Sequence, residues 1–357
     1  MSHTPRPEDG NPQQGGPSRR SLLRTAAALA GAAGVAGAGL PGAAAAASTA
    51  SGTTGAAATG DRLVMLGVDG GPKINPGRAK PAVALVVEGQ TYLVDAGNNT
   101  ADQLAASGLG FASLRHVFIT HHHLDHTSGL MGLAMHGWTG TPSRPALDLW
   151  GPPHMQRVAL GLRMGYGLEI ENFESGGGFG TFPAVRAHDV RVHRGGRRAP
   201  VTRVMEDDLV VVDATRVFHG EELEDAYAYR FTVKSTGKQV VFSGDTAAPD
   251  ANLVALSQDV DVIVHEAQDN DNVEKVVAQM PAQQGAELRT HLLATHSDVR
   301  DLPKVGRLSG AGRIVMSHYT PFPQPGSVYL AKAEAAAGEL GYAGTLIAPE
   351  QLDVIVL

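Results

Sequence analysis

The chain has no cysteine among its 357 residues, few aromatics at 5%, and a shortage of positive charge, with a formal net of −7. Without cysteine there are no disulfides, no thiolate ligands and no cysteine nucleophile. Any metal site must therefore be built from histidine and carboxylate. A run of roughly 20 strongly apolar residues is also missing, which argues against stable membrane insertion. The low charged fraction and the abundance of Gly and Ala suit a compact α/β enzyme better than a disordered or coiled protein. The length allows one large domain or two modest ones.

Residues 1–50 read as a leader. Ser18-Arg19-Arg20-Ser21-Leu22-Leu23-Arg24 is a twin-arginine pattern, followed by a weakly hydrophobic Ala/Gly stretch and small residues around Ala43 to Ala50 that offer cleavage sites. The expected partner is the twin-arginine export machinery, and the expected location is periplasmic or extracellular. Residues 1–50 hold four arginines and two acids, so the remaining 25 basic residues face 34 acidic ones, a net −9. Such a surface repels polyanions, and no nucleic-acid partner is expected from it. The most basic segment, Arg186 to Arg203 with Arg191, Arg194, Arg197 and Arg198, reads as a solvated loop.

Residues 51–357 alternate apolar strand runs with helical spacing. Arg62 to Gly67, Ala82 to Val87 and Thr91 to Val94 read as strands, and Arg115 to Ile119 as another. Residues 127–200 are less regular, with a short strand at Leu147 to Trp150, helical character from Met155 to Leu168 and a glycine-rich joint at Ser175 to Gly180, and 131–200 stand out as an insertion. They are expected to form a helical insertion that covers the site as a lid. Strands then resume, and one regularity stands out. Strand after strand ends in histidine or aspartate, at His121, His219, Asp245, His265 and His318.

The densest cluster is Thr120-His121-His122-His123-Leu124-Asp125-His126. In extended chain alternate side chains share a face, so His121 and His123 can serve one ion while Asp125 and His126 serve another. The ordered set His121-x-His123-x-Asp125-His126, His219, Asp245 within Ser-Gly-Asp-Thr, and His318 is similar to the metallo-β-lactamase-fold superfamily. Phe218-His219-Gly220, Ala226 to Phe231, Val264-His265-Glu266-Ala267 and His296-Ser297 resemble its ribonuclease Z and arylsulfatase-like branch.

The resemblance implies an α/β fold, an αββα sandwich of the metallo-β-lactamase type, holding two Zn2+ ions, with Mn2+ or Fe2+ as alternatives. It assigns His121, His123 and His219 to one metal, Asp125, His126 and His318 to the other, and Asp245 to both. Two divalent ions among these groups favour a bridging hydroxide as nucleophile. Asp125 is a further candidate catalytic residue, orienting that nucleophile or taking its proton. His296 is the candidate proton donor to the leaving group. His265 and Glu266 are expected to steady a ligand from behind. Tyr319 fits either the pocket or the core. His116, His136, His154, His188, His193 and His291 fit structural or surface roles.

The expected activity is that of an exported dinuclear hydrolase acting on a small-molecule phosphodiester or sulfate ester. Lactone or carboxylic-ester hydrolysis is the alternative, and a non-hydrolytic metal-binding protein the alternative of another class. A homodimer is compatible with this reading.

Overall fold

The computed structural model describes residues 59–141, 146–192, 200–223, 225–321 and 324–357. The twin-arginine stretch, His193, and Arg194, Arg197 and Arg198 of the basic segment lie outside the described residues.

Two seven-stranded sheets form the frame. The first contains β1 (Arg62–Gly67), β2 (Ala82–Val87), β3 (Gln90–Val94), β4 (Leu114–Phe118), β5 (Leu147–Gly151) and β6 (Val185–Asp189) side by side. The second runs from β7 (Thr202–Glu206) through β8 (Val210–Val217), β9 (Ala226–Val233), β10 (Gln239–Phe242), β11 (Val262–Gln268) and β12 (Arg313–Thr320) to β13 (Thr345–Ile347). A last strand, β14 (Val354–Val356), returns to pair antiparallel with β1. From β3 to β6 and from β10 to β13 the strands are parallel. Strands covered on both faces carry apolar residues at successive positions, as in Ala82-Val83-Ala84-Leu85-Val86-Val87, all buried.

The central core lies between the sheets, where Leu63, Met65, Leu85 and Phe118 of the first meet Tyr229, Phe231, Val240 and Val262 of the second. Helices α1 (Thr100–Ala106), α2 (Leu124–Thr127) and α3 (Leu130–Gly140) follow β3 and β4. Leu104, Leu130 and Leu133 cover the outer face of the first sheet against Leu66, Leu93 and Val117. After β5 come α4 (Met155–Gly165) and α5 (Gly167–Gly176). Beyond β10 lie α6 (Ala251–Leu256), α7 (Asn270–Val277), α8 (Ala282–Thr295), α9 (Leu302–Ser309) and α10 (Gly326–Leu340). Leu253, Leu256 and Val305 cover the second sheet against Val241 and Ile263. The architecture is the expected αββα sandwich.

The expected insertion at 131–200 is corrected. Residues 147–151 and 185–189 are β5 and β6, paired in parallel with the sheet. The order of the parallel strands, which sequence spacing does not show, makes this stretch part of the first layer. The cleft beside the site is walled instead by α7 and α8. The two helices are separate because Pro281 cannot continue the first and starts the second.

Candidate active site

The loops at the carboxyl ends of β3, β4, β8, β10, β11 and β12 converge on one edge of the sandwich, the position where parallel strands present ligand-binding loops. His121 Nε2 lies 3.0 Å from His123 Nδ1, which lies 3.2 Å from His219 Nε2. Asp245 Oδ2 is 3.8 Å from His121 Nε2 and 3.7 Å from His219 Nε2. Around a tetrahedral zinc with bonds of about 2.1 Å, neighbouring donors sit about 3.4 Å apart, so these atoms fit one ion.

A second set adjoins it. His318 Nε2 is 3.2 Å and His126 Nε2 3.6 Å from Asp125 Oδ2. The same Asp245 Oδ2 lies 3.1 Å from His318 Nε2 and 3.4 Å from His126 Nε2. One carboxylate oxygen thus stands within reach of four imidazole nitrogens, two from each set. All seven residues expected as donors are brought together, six of them buried and His123 half-buried.

Outer partners fix three of the rings, as metal-binding imidazoles require. Thr120 Oγ1 lies 3.0 Å from His121 Nδ1, and the Thr295 carbonyl 3.0 Å from His219 Nδ1. Asp95 Oδ2 lies 2.8 Å from His126 Nδ1, while its Oδ1 accepts the Thr120 backbone N–H at 2.8 Å. In sequence Asp95 stands only at a hairpin's loop end where a site could sit, Thr120 only opens the histidine cluster, and Thr295 carries no signal. The available signal was Asp95 at the end of β3, in the pattern already seen for the donors.

Charge divides the site. Burial and the neighbouring His126 hold His121 well below the ordinary imidazole range, and burial lowers His123 to about 4. These rings are neutral and ready to donate lone pairs. Burial also opposes charge on His318, but the Asp245 carboxylate outweighs it and the ring is pushed up to about 10. His126 is raised likewise by Asp245, Asp95 and Asp125. Burial would raise Asp125, yet His126 and His318 overcome it and hold its carboxyl well below the usual range. The second set therefore demands positive charge, from protons or from a divalent cation.

Beside the donors, His296 Nδ1 meets Glu266 Oε2 at 2.8 Å. Glu266 also accepts the Thr246 backbone N–H at 2.8 Å. Burial disfavours charge on His296, and the Glu266 carboxylate outweighs it, raising the ring above its ordinary value. Glu266 was expected behind a ligand; its carboxylate lies 3.9 Å from His318 Nδ1 and bonds His296 instead. His265 is fully buried with Nδ1 against the Glu266 carbonyl. His122 turns away to the Pro153 carbonyl, and Tyr319 is a core residue whose hydroxyl donates to the Pro349 carbonyl. A cleft of about 540 Å³ opens onto Asp125, Asp245, His296 and His318, walled by Leu124, Val276, Leu288 and Leu292, with Lys73 and His291 also lining it.

Residues 90–319 match the family model described as Beta-lactamase superfamily domain. Ribonuclease Z of Mycobacterium bovis (strain BCG / Pasteur 1173P2) is 30% identical over 278 residues, covering 77% of this chain and 91% of its own. Ribonuclease Z of Mycolicibacterium paratuberculosis (strain ATCC BAA-968 / K-10) is 31% identical over 258 residues, covering 71% and 84%. Among solved structures, human tRNase Z, short form, superposes with a TM-score of 0.58 at 21% identity over 82% of this chain and 98% of that one. Zn(2+)-bound PqqB from Methylobacterium extorquens gives 0.57 at 14% identity over 83% and 100%.

Fold and site together define a metal-dependent hydrolase acting on ester bonds. The chain belongs to the metallo-β-lactamase superfamily and is a homologue of ribonuclease Z. That homology overturns the expected partners, a small-molecule ester and no nucleic acid. The expectation rested on export, on the lack of a convincingly basic insertion and on net charge, a property of the whole surface that does not report the field within one cleft.

Proposed function

We propose that this protein is a dinuclear zinc phosphodiesterase that cleaves RNA. The observation that carries the reading is Asp245 Oδ2 shared between two donor sets, 3.1 Å from His318 Nε2 and 3.7 Å from His219 Nε2. Ribonuclease Z homology supplies the substrate class. Divalent ions held there would make water a competent nucleophile near neutral pH and offset the phosphodiester charge. Zinc suits five imidazoles and two carboxylates, and manganese or iron suits them next.

The chain's own groups divide the proton traffic. Asp125 stays ionised, and we assign it to orient the attacking water and accept its proton. Against the cost of burial, the Glu266 carboxylate favours the protonated form of His296 and fixes its Nδ1. That leaves His296 Nε2 to donate to the departing oxygen. His121, His123, His219, His126 and His318 stay neutral when they ligate, so they hold charge without consuming it.

Purified protein is expected to carry close to two divalent ions and to cleave an unpaired fluorogenic RNA. Asp245→Ala is expected to lose metal and cleavage together. Undiminished cleavage after exhaustive chelation would sink the metal chemistry. Hydrolysis of an aryl acetate or aryl sulfate with no RNA cleavage would sink the substrate class. We further propose export by the twin-arginine route, supported by Arg19-Arg20 and the Ala-rich stretch after them. Changing both arginines to lysine is expected to retain the protein in the cytoplasm, and unchanged export would refute the route.

A further inference from the structure

Three of the ligating rings are oriented by a hydrogen bond to the nitrogen that faces away from the metal position: His121 by Thr120, His126 by Asp95 and His219 by the Thr295 carbonyl. Of the other two rings, His123 is only half-buried, and His318 is the buried one left without such a bond. Its Nδ1 is buried with no hydrogen-bond partner, and the Glu266 carboxylate stops 3.9 Å short. Something else must aim the ring.

Its backbone leaves it unusually exposed to misdirection. Glu266 pairs with Ser317 and Ala267 with Tyr319, so His318 is the extra residue of a bulge between β11 and β12. Its φ of +50° lies in the left-handed region, where a side chain is disfavoured. A bulged residue of this kind is held by its surroundings.

The surroundings are the loop after β1. Gly70 lies flat against the imidazole: a Cβ there would sit 2.5 Å from His318 Nδ1 and 2.7 Å from its Cε1. Gly70 N–H donates to the Tyr319 carbonyl at 3.1 Å, and Tyr319 N–H to the Val68 carbonyl at 2.7 Å. This contact is only as rigid as the loop, and the loop's Asp69 is held by two cations, the fully buried Lys80 at 2.7 Å and the partly exposed Arg78, whose Nε stands 3.7 Å away. Lys80, 1% exposed, donates from Nζ to Asp69 Oδ2 at 2.7 Å and to the Gly70 carbonyl at 3.2 Å. Asp69 is fully buried, and Asn75 Nδ2 supports the same carboxylate at 3.0 Å. The Lys80 stem packs on Gly97, which abuts the Asp125 carbonyl so closely that a Cβ there would lie 2.1 Å from it. Lys80 thus joins the loop behind His318 to the loop beside Asp125, two donors of the second set.

Buried ion pairs are costly to desolvate and contribute little net stability, and fixing register is their best-attested use. We propose that Lys80 is a positioning residue that sets the second metal set by clamping Gly70 against His318, so that packing replaces the missing hydrogen bond. The proposal rests on reading Asp125, His126 and His318 as a metal set.

The test is Co2+ titration of the full-length protein, followed by calorimetry and by visible absorption, with His318→Ala marking the signature of a lost second set. Wild type is expected to take two Co2+. Lys80→Met is expected to weaken the second equivalent by about 10–100-fold, the usual effect of removing an orienting partner, to shift its absorption, and to leave the first equivalent unchanged. Gly70→Ala is expected to match it with the Lys80–Asp69 pair intact, and it decides the matter if Lys80→Met does not fold. Wild-type affinity for the second Co2+ in Gly70→Ala, or equal weakening of both equivalents, overturns the clamp. A wild-type protein that binds a single Co2+ overturns the two-metal reading, and the clamp with it.

Discussion

Glu266 Oε2 lies 2.8 Å from His296 Nδ1, with the two side chains 1% and 8% exposed. In so dry a place the carboxylate decides both the charge and the direction of the ring. Removing the acid–base group is expected to lower turnover on RNA by about 10²–10⁴-fold in His296→Ala. Glu266→Gln keeps the acceptor for the Thr246 N–H but loses the charge that raises the His296 pKa. The double variant is expected to be little worse than His296→Ala alone, since the two act as a unit. Steady-state rates with metal content measured on the same samples check this. Additive losses would separate the pair.

The Asp95–His126 contact yields a different readout. Asp95 bonds His126 Nδ1 and both the backbone N–H and hydroxyl of Thr120, so it orients donors of both sets. Asp95→Ala is expected to cost about 10–100-fold in metal affinity. Part of that loss could arise from the backbone, because Asp95 has a φ of +60°. Asn tolerates that region nearly as well as Asp, so Asp95→Asn isolates the charge. Affinity equal to wild type in both variants would remove Asp95 from the site.

His116 offers a pH test away from the metal donors. It accepts from Trp150 Nε1 at Nδ1, 3.3 Å, and stacks on Tyr92 between the sheets. Burial lowers its pKa below the ordinary 6.5. The folded protein then resists a proton that the unfolded chain accepts, so stability is full above the unfolded value and falls as pH drops below it. His116→Gln is expected to flatten the acid side of the stability curve below pH about 6.5, as read by urea midpoints across pH. An unchanged slope would show that His116 is not among the groups responsible.

The seven donors were legible because each lies at or just past the end of a buried strand, and strands buried on both faces announce themselves as apolar runs. His318 and Asp245 could be picked out that way with no knowledge of the sheet order. Asp95 shares the pattern and its place at the site's edge is legible, but its role is not, because a carboxylate that bonds a ligand looks in sequence like one that turns a hairpin. In the 131–200 region β5 reads as a strand but β6 does not: β6 carries Arg186 and His188 among its apolar residues, and these meet Asp148 of β5 as neighbours only once the strands pair. Gly70 and Lys80 carried no signal at all. A glycine in Asp69-Gly70-Gly71-Pro72 reads as a turn, and its approach to His318, 248 positions later, belongs to the tertiary structure alone.

The cleft wall supplies the last prediction. Leu288 and Leu292 are one turn apart on α8, and His296 caps the same helix one turn further on. Whatever part of the substrate faces the proton donor therefore also faces these two side chains and Val276 of α7. In an RNA strand the apolar surface available there is the face of an unpaired base. Losing the contact of one leucine, roughly 50 Å² of apolar surface, costs about 1 kcal/mol at about 25 cal/mol per Å². Leu292→Ala is accordingly expected to raise KM for unpaired RNA about fivefold, with metal content unchanged and kcat little altered, because the contact is made before and during the reaction alike. For a bis-aryl phosphate, too short to reach along the helix, the same substitution is expected to leave KM as it was. A fall in kcat with constant KM on RNA would instead place Leu292 behind His296, as packing for the proton donor rather than as a wall for the substrate.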